Sequence, residues 1–462
     1  MGNTGTDHDE TELAGEQIPD PDAGHFSSLT GIWRSRGYGK LLEIDESGYT
    51  LYEETRISCL PVYGGPLSEL AERYVDLVVS PAGNAFSARR ATGVTRVGFR
   101  RLQALPDTCE ELSDEQAEDP LFNFDVLCAN FTEQYGLFPI KNLDWPAQCR
   151  RYRARITGET DPEALFALMT ALIRPLRDGH VRLHAPFAQS SAGAHPALYR
   201  RLERELEEAD DHRDVLTYLA ELREWLREVI HEDYLEGASH QGGSRLLEWG
   251  AIRGQAGYLN IRAMAGQSGA IGHPAEDMAA VDELMPRVLQ QLGHLPALIV
   301  DLRGNGGGYD GVALRLASYL TDRRRLAFSK AARFGAGYTG RQKITLRPAQ
   351  TAPYGGQIYL LTSELTASAA EIFVLSLLQH PRLTLVGEPT QGILSDTLER
   401  HLPNGWFFTL SNELYHSYDG AVYEDVGIPP HIRLPFLARR GRQTGRDPML
   451  ERVLYRLIPS GN

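Results

Sequence analysis

Long apolar runs are missing from this chain: no stretch approaches the roughly 18 apolar residues that a membrane-spanning helix needs, so no span is expected. Cysteine is scarce. The four in 462 residues (Cys59, Cys109, Cys128 and Cys149) all lie in the first third and none has CxxC spacing. That excludes a disulfide-built miniprotein while leaving free thiols, or one or two bridges, open. Basic charge is outnumbered, with 47 Lys+Arg against 61 Asp+Glu and a net charge of -14. Such a field repels phosphate backbones and anionic lipid, so nucleic acid is not an expected partner. The first two dozen residues lack a basic stretch followed by an apolar one; no signal peptide is expected, and a cytoplasmic chain is the default reading, with a periplasmic or secreted one as the alternative if a leader has been cut away.

What is present is globular. Hydrophobic residues make up 42% and charged residues 23%, and the length suits about three ordinary domains. Residues 1 to 25 are acidic, rich in Gly, Asp and Pro, and poor in aromatics, which reads as a flexible tail. Short β-type runs broken by glycine follow, such as 40–44 and 49–52, and predict a small β-rich domain over 26–105. The acidic stretch 106–118 shows no period and reads as a linker. A helical domain is expected over 118–250. Within it Thr160-Asp161-Pro162-Glu163 reads as a capping box, with Thr160 as cap, and 195–235 reads as two antiparallel helices hinged near Asp210-Asp211. From 251 to 440 strands alternate with helices, the pattern of a largely parallel sheet covered by helices, and 441–462 reads as a tail.

Three places in this frame could carry chemistry. Arg303-Gly304-Asn305-Gly306-Gly307-Gly308 follows a buried strand, and clustered glycines let backbone N–H groups approach a ligand. Neither the lysine nor the hydroxyl of a phosphate loop accompanies them, so a sharp turn is the alternative. Ser368, in Thr366-Ala367-Ser368-Ala369-Ala370-Glu371, stands at a strand-to-helix junction where free N–H groups stabilise negative charge; Ser-x-x-Glu is equally a capping box, with Glu371 as its partner. His180 follows a helix end in Asp178-Gly179-His180. His184 lies four residues on, but no HExxH or Cys/His cluster accompanies the pair, so no metal and no cofactor are expected.

Taken together, Ile299 to Gly307, Thr362 to Glu371, Leu385-Val386-Gly387-Glu388-Pro389-Thr390-Gln391-Gly392 and Gly427-Ile428-Pro429-Pro430 resemble, in order and spacing, the S41 serine peptidases, over about residues 120 to 435. The resemblance implies an α/β fold with a crotonase- or ClpP-like core, a helical cap and a peptide or protein substrate. The processing-protease branch of that family places a base lysine just after the Thr-x-Gly segment. Here that position is Ile393, and the four lysines (Lys40, Lys141, Lys330, Lys343) all precede the serine. The tricorn-like branch uses a histidine instead, which its motif matches to His180. By resemblance Ser368 is then the nucleophile, His180 the base, and Glu424 the acidic member, with neighbouring Asp425 left open. The oxyanion hole is implied to be the N–H of Ala369 with that of Gly307 or Gly308. Gly179 stands where the branch has a serine, so three catalytic members are expected rather than four. The helices of 198–235 fill the interval where many members carry a PDZ domain, so recognition of substrate C-termini is not implied. A neutral His180 predicts a rise of kcat/KM with an apparent pKa of about 6 to 7. Two other readings remain: a peptide-binding protein that has kept the fold without turnover, and an acyl-CoA enzyme that needs no nucleophile.

Overall fold

The computed structural model describes residues 15–91 and 93–457 as a mixed α/β protein. The chain divides into two compact units that interleave in sequence. One holds the chain up to Ala194 with Ser329–Lys343 and Ser395–Tyr415; the other holds His195–Phe328, Ile344–Leu394 and the chain from His416 on.

The first unit contains an eight-stranded antiparallel sheet, in the order Glu16–Ile18, Tyr74–Val79, Ala85–Arg90, Arg96–Leu102, Gly31–Ser35, Lys40–Ile44, Tyr49–Glu54 and Cys59–Gly65. The strand Tyr49–Glu54 alternates buried and half-buried residues, the period-two signature of a sheet with one face on a core. That core includes Trp33, Phe86 and Phe99, with Phe86 stacked on Phe99 at 4.7 Å and Trp33 edge-on to Phe86 at 4.9 Å. A separate four-stranded sheet pairs Arg182–Ala185 with Ala188–Ser191 on one side and Phe407–Ser411 on the other, followed by Thr397–His401. All four cysteines are paired. Cys59–Cys109 ties a sheet edge to a short turn, and Cys128–Cys149 ties the helix Pro120–Gln134 to the helix Trp145–Arg153.

Several expectations are corrected here. Residues 1–14 of the expected tail lie outside the described residues, but from Glu16 the chain is built in, as a strand paired to Tyr74–Val79 and a helix Ala23–Ser27 capped by Asp22. The stretch read as a linker holds the bridged Cys109 and a capped helix, Asp114–Glu118. At the helix Pro162–Ile173 the cap is Asp161, whose carboxylate accepts from the Ala164 N–H at 2.7 Å; Pro162 takes the first helical position, while Thr160 instead accepts from the Thr157 N–H. The expected tail at 441–462 carries a helix, Pro448–Leu457. The expected helical domain of 118–250 is shared, 118–194 going to the first unit and 195–250 to the second.

The second unit is organised by a seven-stranded sheet: His240–Gln241, Leu247–Ile252, Ala256–Ile261, Ala297–Asp301, Gln357–Thr362, Leu383–Gly387 and Ile432–Arg433. Each of the first three strands is antiparallel to its neighbour among them, and the rest run parallel from Ala256–Ile261 onward. Every residue of Ala297–Asp301 is buried, as expected of a parallel strand covered on both faces. The helices Pro274–Leu292, Asp310–Ser318 and Ala369–Leu377 connect these strands, and the expected pair of helices is present as Ala197–Glu208, which buries Leu198, Leu202 and Leu206, and Val215–Val229, which buries Leu219, Leu222 and Leu226. The carboxyl ends of the parallel strands thus gather the loops 302–308, 363–368 and 388–393, which is where an α/β sheet holds its ligands.

Candidate functional site

The glycine turn after Ala297–Asp301 is held by one side chain. Asn305, fully buried, donates to the carbonyl of Ile261 at 2.9 Å and accepts from the Gly307 N–H at 2.9 Å, while its own carbonyl accepts from the Ala367 N–H at 3.0 Å. Three strand ends are thereby stitched together. Gly307 sits at φ +103°, and a Cβ there would lie 2.7 Å from the Ser368 Cβ and 2.9 Å from the Ala369 nitrogen, so the turn needs a glycine to press against the serine segment. Gly308, at φ +146°, is hemmed in by the Met264 backbone.

Ser368 itself adopts φ +54° and ψ -126°, an uncommon conformation for a residue with a side chain, at the entrance to the helix Ala369–Leu377. Its N–H donates to Glu371 at 3.1 Å, the reciprocal half of the capping box read from the sequence. Glu371 does more than cap. Its two oxygens also accept from the Thr390 hydroxyl (2.6 Å), the Gly392 N–H (2.7 Å) and the Ile393 N–H (2.9 Å). Burial pushes its pKa up to about 7, against four hydrogen bonds that pull it down. Gly307 has already spent its N–H on Asn305, whereas the N–H groups of Gly308 and Ala369 have no hydrogen-bond partner among the described residues. Glu424 is buried and accepts from the Leu394 N–H at 3.1 Å; Asp425, exposed and at φ +70°, donates its N–H to the Gly392 carbonyl. Sequence reasoning missed Asn305 as a pin and Thr390, Gly392 and Ile393 as donors to Glu371. The Gly-Asn-Gly-Gly-Gly run, with one polar residue among glycines, held the signal for the first.

His180 belongs to the first unit. It follows a left-handed residue, Arg177, that ends the preceding helical segment, and precedes the strand Arg182–Ala185. Its carbonyl accepts from the Thr409 hydroxyl at 2.6 Å and its N–H donates to Asp178 at 2.9 Å, while the Tyr135 hydroxyl donates to the other Asp178 oxygen at 3.0 Å. The ring is buried, and its Nδ1 has no hydrogen-bond partner among the described residues. Burial pushes the imidazole pKa down, and the charge of Arg182 helps; the carboxylates of Asp178 and Asp396 and the backbone at Ser395 push it back up. Asp178 was legible two residues before His180, whereas nothing local pointed to Asp396. His184 is stacked on the ring of Phe407 at 4.4 Å.

Residues 255–434 match the model of Peptidase family S41. A protein from Chlamydia trachomatis serovar D is 30% identical over 111 residues, a stretch that makes up 23% of this chain and 18% of that protein, so the match spans under a fifth of the relative. Among solved structures, a candidate peptidase from Parabacteroides merdae ATCC 43184 is 22% identical with a TM-score of 0.59, covering 74% of this chain and 98% of that one. Mature CPAF in complex with lactacystin is 14% identical with a TM-score of 0.52, covering 75% and 100%. Both likenesses bear on the fold.

Proposed function

We propose that the chain is a member of peptidase family S41, whose model matches residues 255–434, and that it hydrolyses peptide bonds through an acyl-enzyme, on a crotonase-like core, with Ser368 as nucleophile and His180 as general base. The observation that carries this reading is the serine turn: a residue held at φ +54° at a helix entrance, with the unspent amides of Gly308 and Ala369 beside it. Ser368 Oγ attacks the scissile carbonyl as its proton passes to the imidazole. The carbonyl oxygen takes up the negative charge and accepts from the two amides, each such donor contributing about 2.7–4 kcal/mol to the transition state. Collapse breaks the C–N bond, the imidazolium protonates the leaving amine, and water deacylates the serine by the same steps in reverse. Gly308 is preferred to Gly307 because the Gly307 N–H serves Asn305. The acidic member is assigned to Glu424, with Asp425 as its alternative; Glu371 is assigned to holding the turn rather than to proton transfer. Peptides or proteins are the substrates, and neither cofactor nor metal is invoked.

A serine-reactive phosphonate tests the reading on the full chain. Covalent labelling at Ser368 that disappears in His180→Ala, together with cleavage of unfolded casein, is the expected result. An inert Ser368 in a protein that still binds peptides would establish the non-catalytic alternative, and acyl-CoA turnover surviving Ser368→Ala would establish the other.

A further inference from the structure

A cavity of about 330 Å³ opens in the second unit, at the carboxyl ends of Ala256–Ile261 and Ala297–Asp301 and beside the helix Val215–Val229. Its size falls at the lower end of small-molecule sites, and its position at strand carboxyl ends is the usual one in α/β sheets. One wall is apolar, formed by Leu226, Ile230 and Phe436.

The polar groups converging on it are unequal. Arg303 is engaged, donating to Asp301 at 2.9 Å and to Asp447 at 2.6 Å, and the Tyr258 hydroxyl donates to Asp301 at 2.8 Å; two carboxylates share this one guanidinium, which is therefore already committed. Arg227 is paired with Glu224, and Arg262 with Glu248. Arg223 differs. It is exposed, its only hydrogen bond among the described residues is one of 3.2 Å from Nη2 to the Gly304 carbonyl, and no carboxylate among them lies within ion-pair range of it. The side-chain amide of Asn260, on the same cavity, likewise has no hydrogen-bond partner among the described residues. The cavity therefore offers one uncompensated guanidinium fork, one amide and an apolar wall.

We propose that this cavity binds a small amphipathic carboxylate, its carboxylate bidentate on Arg223 and its hydrocarbon body on Leu226, Ile230 and Phe436. A guanidinium matches a carboxylate in geometry and charge, whereas the paired arginines would have to surrender a partner to do the same. The inference does not depend on turnover at Ser368, and its readout is binding.

Calorimetric titration of the full chain with 4-phenylbutyrate, and with 4-phenylbutyramide as the uncharged isostere, tests it. Saturable binding of the acid is expected, with the amide weaker by about tenfold or more, the equivalent of one charge-assisted bond. Arg223→Gln should bring the acid down to the level of the amide, and Arg223→Lys, which keeps the charge but loses the fork, should fall between. Thermal unfolding of each variant without ligand separates lost binding from lost fold. Absence of saturable heat up to about 10 mM acid, a range that covers Kd values in the millimolar class, overturns the proposal. So does an amide that binds as well as the acid, or a folded Arg223→Gln that binds unchanged.

Discussion

The serine segment and the histidine segment are built by opposite means. Around Ser368 the shape is made of backbone: two glycines at positive φ, a buried asparagine, and a glutamate whose two oxygens accept four hydrogen bonds. Around His180 it is made of charge, with a buried imidazole under the influence of Asp178, Asp396 and Arg182 and an Nδ1 without a hydrogen-bond partner among the described residues. Geometry of the first kind breaks when one atom is added or removed. An electrostatic environment of the second kind shifts by degrees. The two segments should therefore respond differently to substitution: loss of rate or fold at the first, displacement along the pH axis at the second.

The largest effect is expected at the proposed nucleophile. Ser368→Ala should lower peptidase kcat by about 10⁴-fold or more, since removal of a nucleophile leaves only binding and the amide donors. Its thermal unfolding should match the parent. Equal turnover in this variant would remove the serine segment from the chemistry altogether.

Next comes the pin. Asn305→Ala deletes the bonds to Ile261 and Gly307 and leaves a buried N–H and a buried carbonyl without partners, at about 1–3 kcal/mol for each unsatisfied group. Chemical denaturation should show that loss, and the surviving folded fraction should cleave about 100-fold more slowly, as expected when an oxyanion donor beside it is misplaced. A folded variant with parental rates would mean that the glycine turn holds its own shape.

Glu371 sharpens the contrast because it belongs to the backbone-built segment and yet titrates. Burial raises its folded pKa to about 7, from a reference of 4.5. A raised folded pKa means that its contribution to stability is complete below about 4.5 and is lost as the pH rises through 7. Activity should run the other way, because a protonated Glu371 cannot accept from all four donors and releases part of the 390–393 loop. Glu371→Gln should flatten the decline in stability between those two pH values and lower kcat/KM at every pH, as measured by unfolding and initial rates across the range. A variant whose stability still declines with the parental slope would assign the titration elsewhere.

Much of this was legible locally. The alternation of strands and helices read from 251 onward is present in the strand Ala297–Asp301, the helix Pro274–Leu292 and the strands Gln357–Thr362 and Leu383–Gly387, because hydrophobic period is a property of adjacent residues. Ser368, Glu371 and the glycine turn were legible for the same reason. What could not be read is what distant segments do to one another. Phe407–Ser411 pairs with Arg182–Ala185, which draws Ser395–Tyr415 out of the stretch read as the catalytic core and into the first unit, and brings the charge of Asp396 to His180. The same blindness applies to the disulfides, whose partners no spacing rule identifies. The capping error at Thr160 has a smaller cause: two adjacent residues both make good caps, and Pro162, which favours the first helical position, fits only the second of them.

The smallest effect is also the most discriminating. If neutral His180 accepts the proton, kcat/KM falls as the pH drops through its pKa, and burial sets that limb below the usual imidazole value of 6.5. Asp396 holds the pKa up, so Asp396→Asn should move the limb to lower pH; Arg182 holds it down, so Arg182→Gln should move it to higher pH. At pH 8, well above the limb, both variants should keep their rates within about threefold, because a residue acting only through a distant charge changes the protonated fraction and little of the barrier. Glu424→Gln tests the other possibility at the same pH. A loss there of about 10²- to 10⁴-fold is what an acidic residue that orients the imidazole should give, and a loss of that size in Asp396→Asn instead would transfer the orienting role from Glu424 to Asp396.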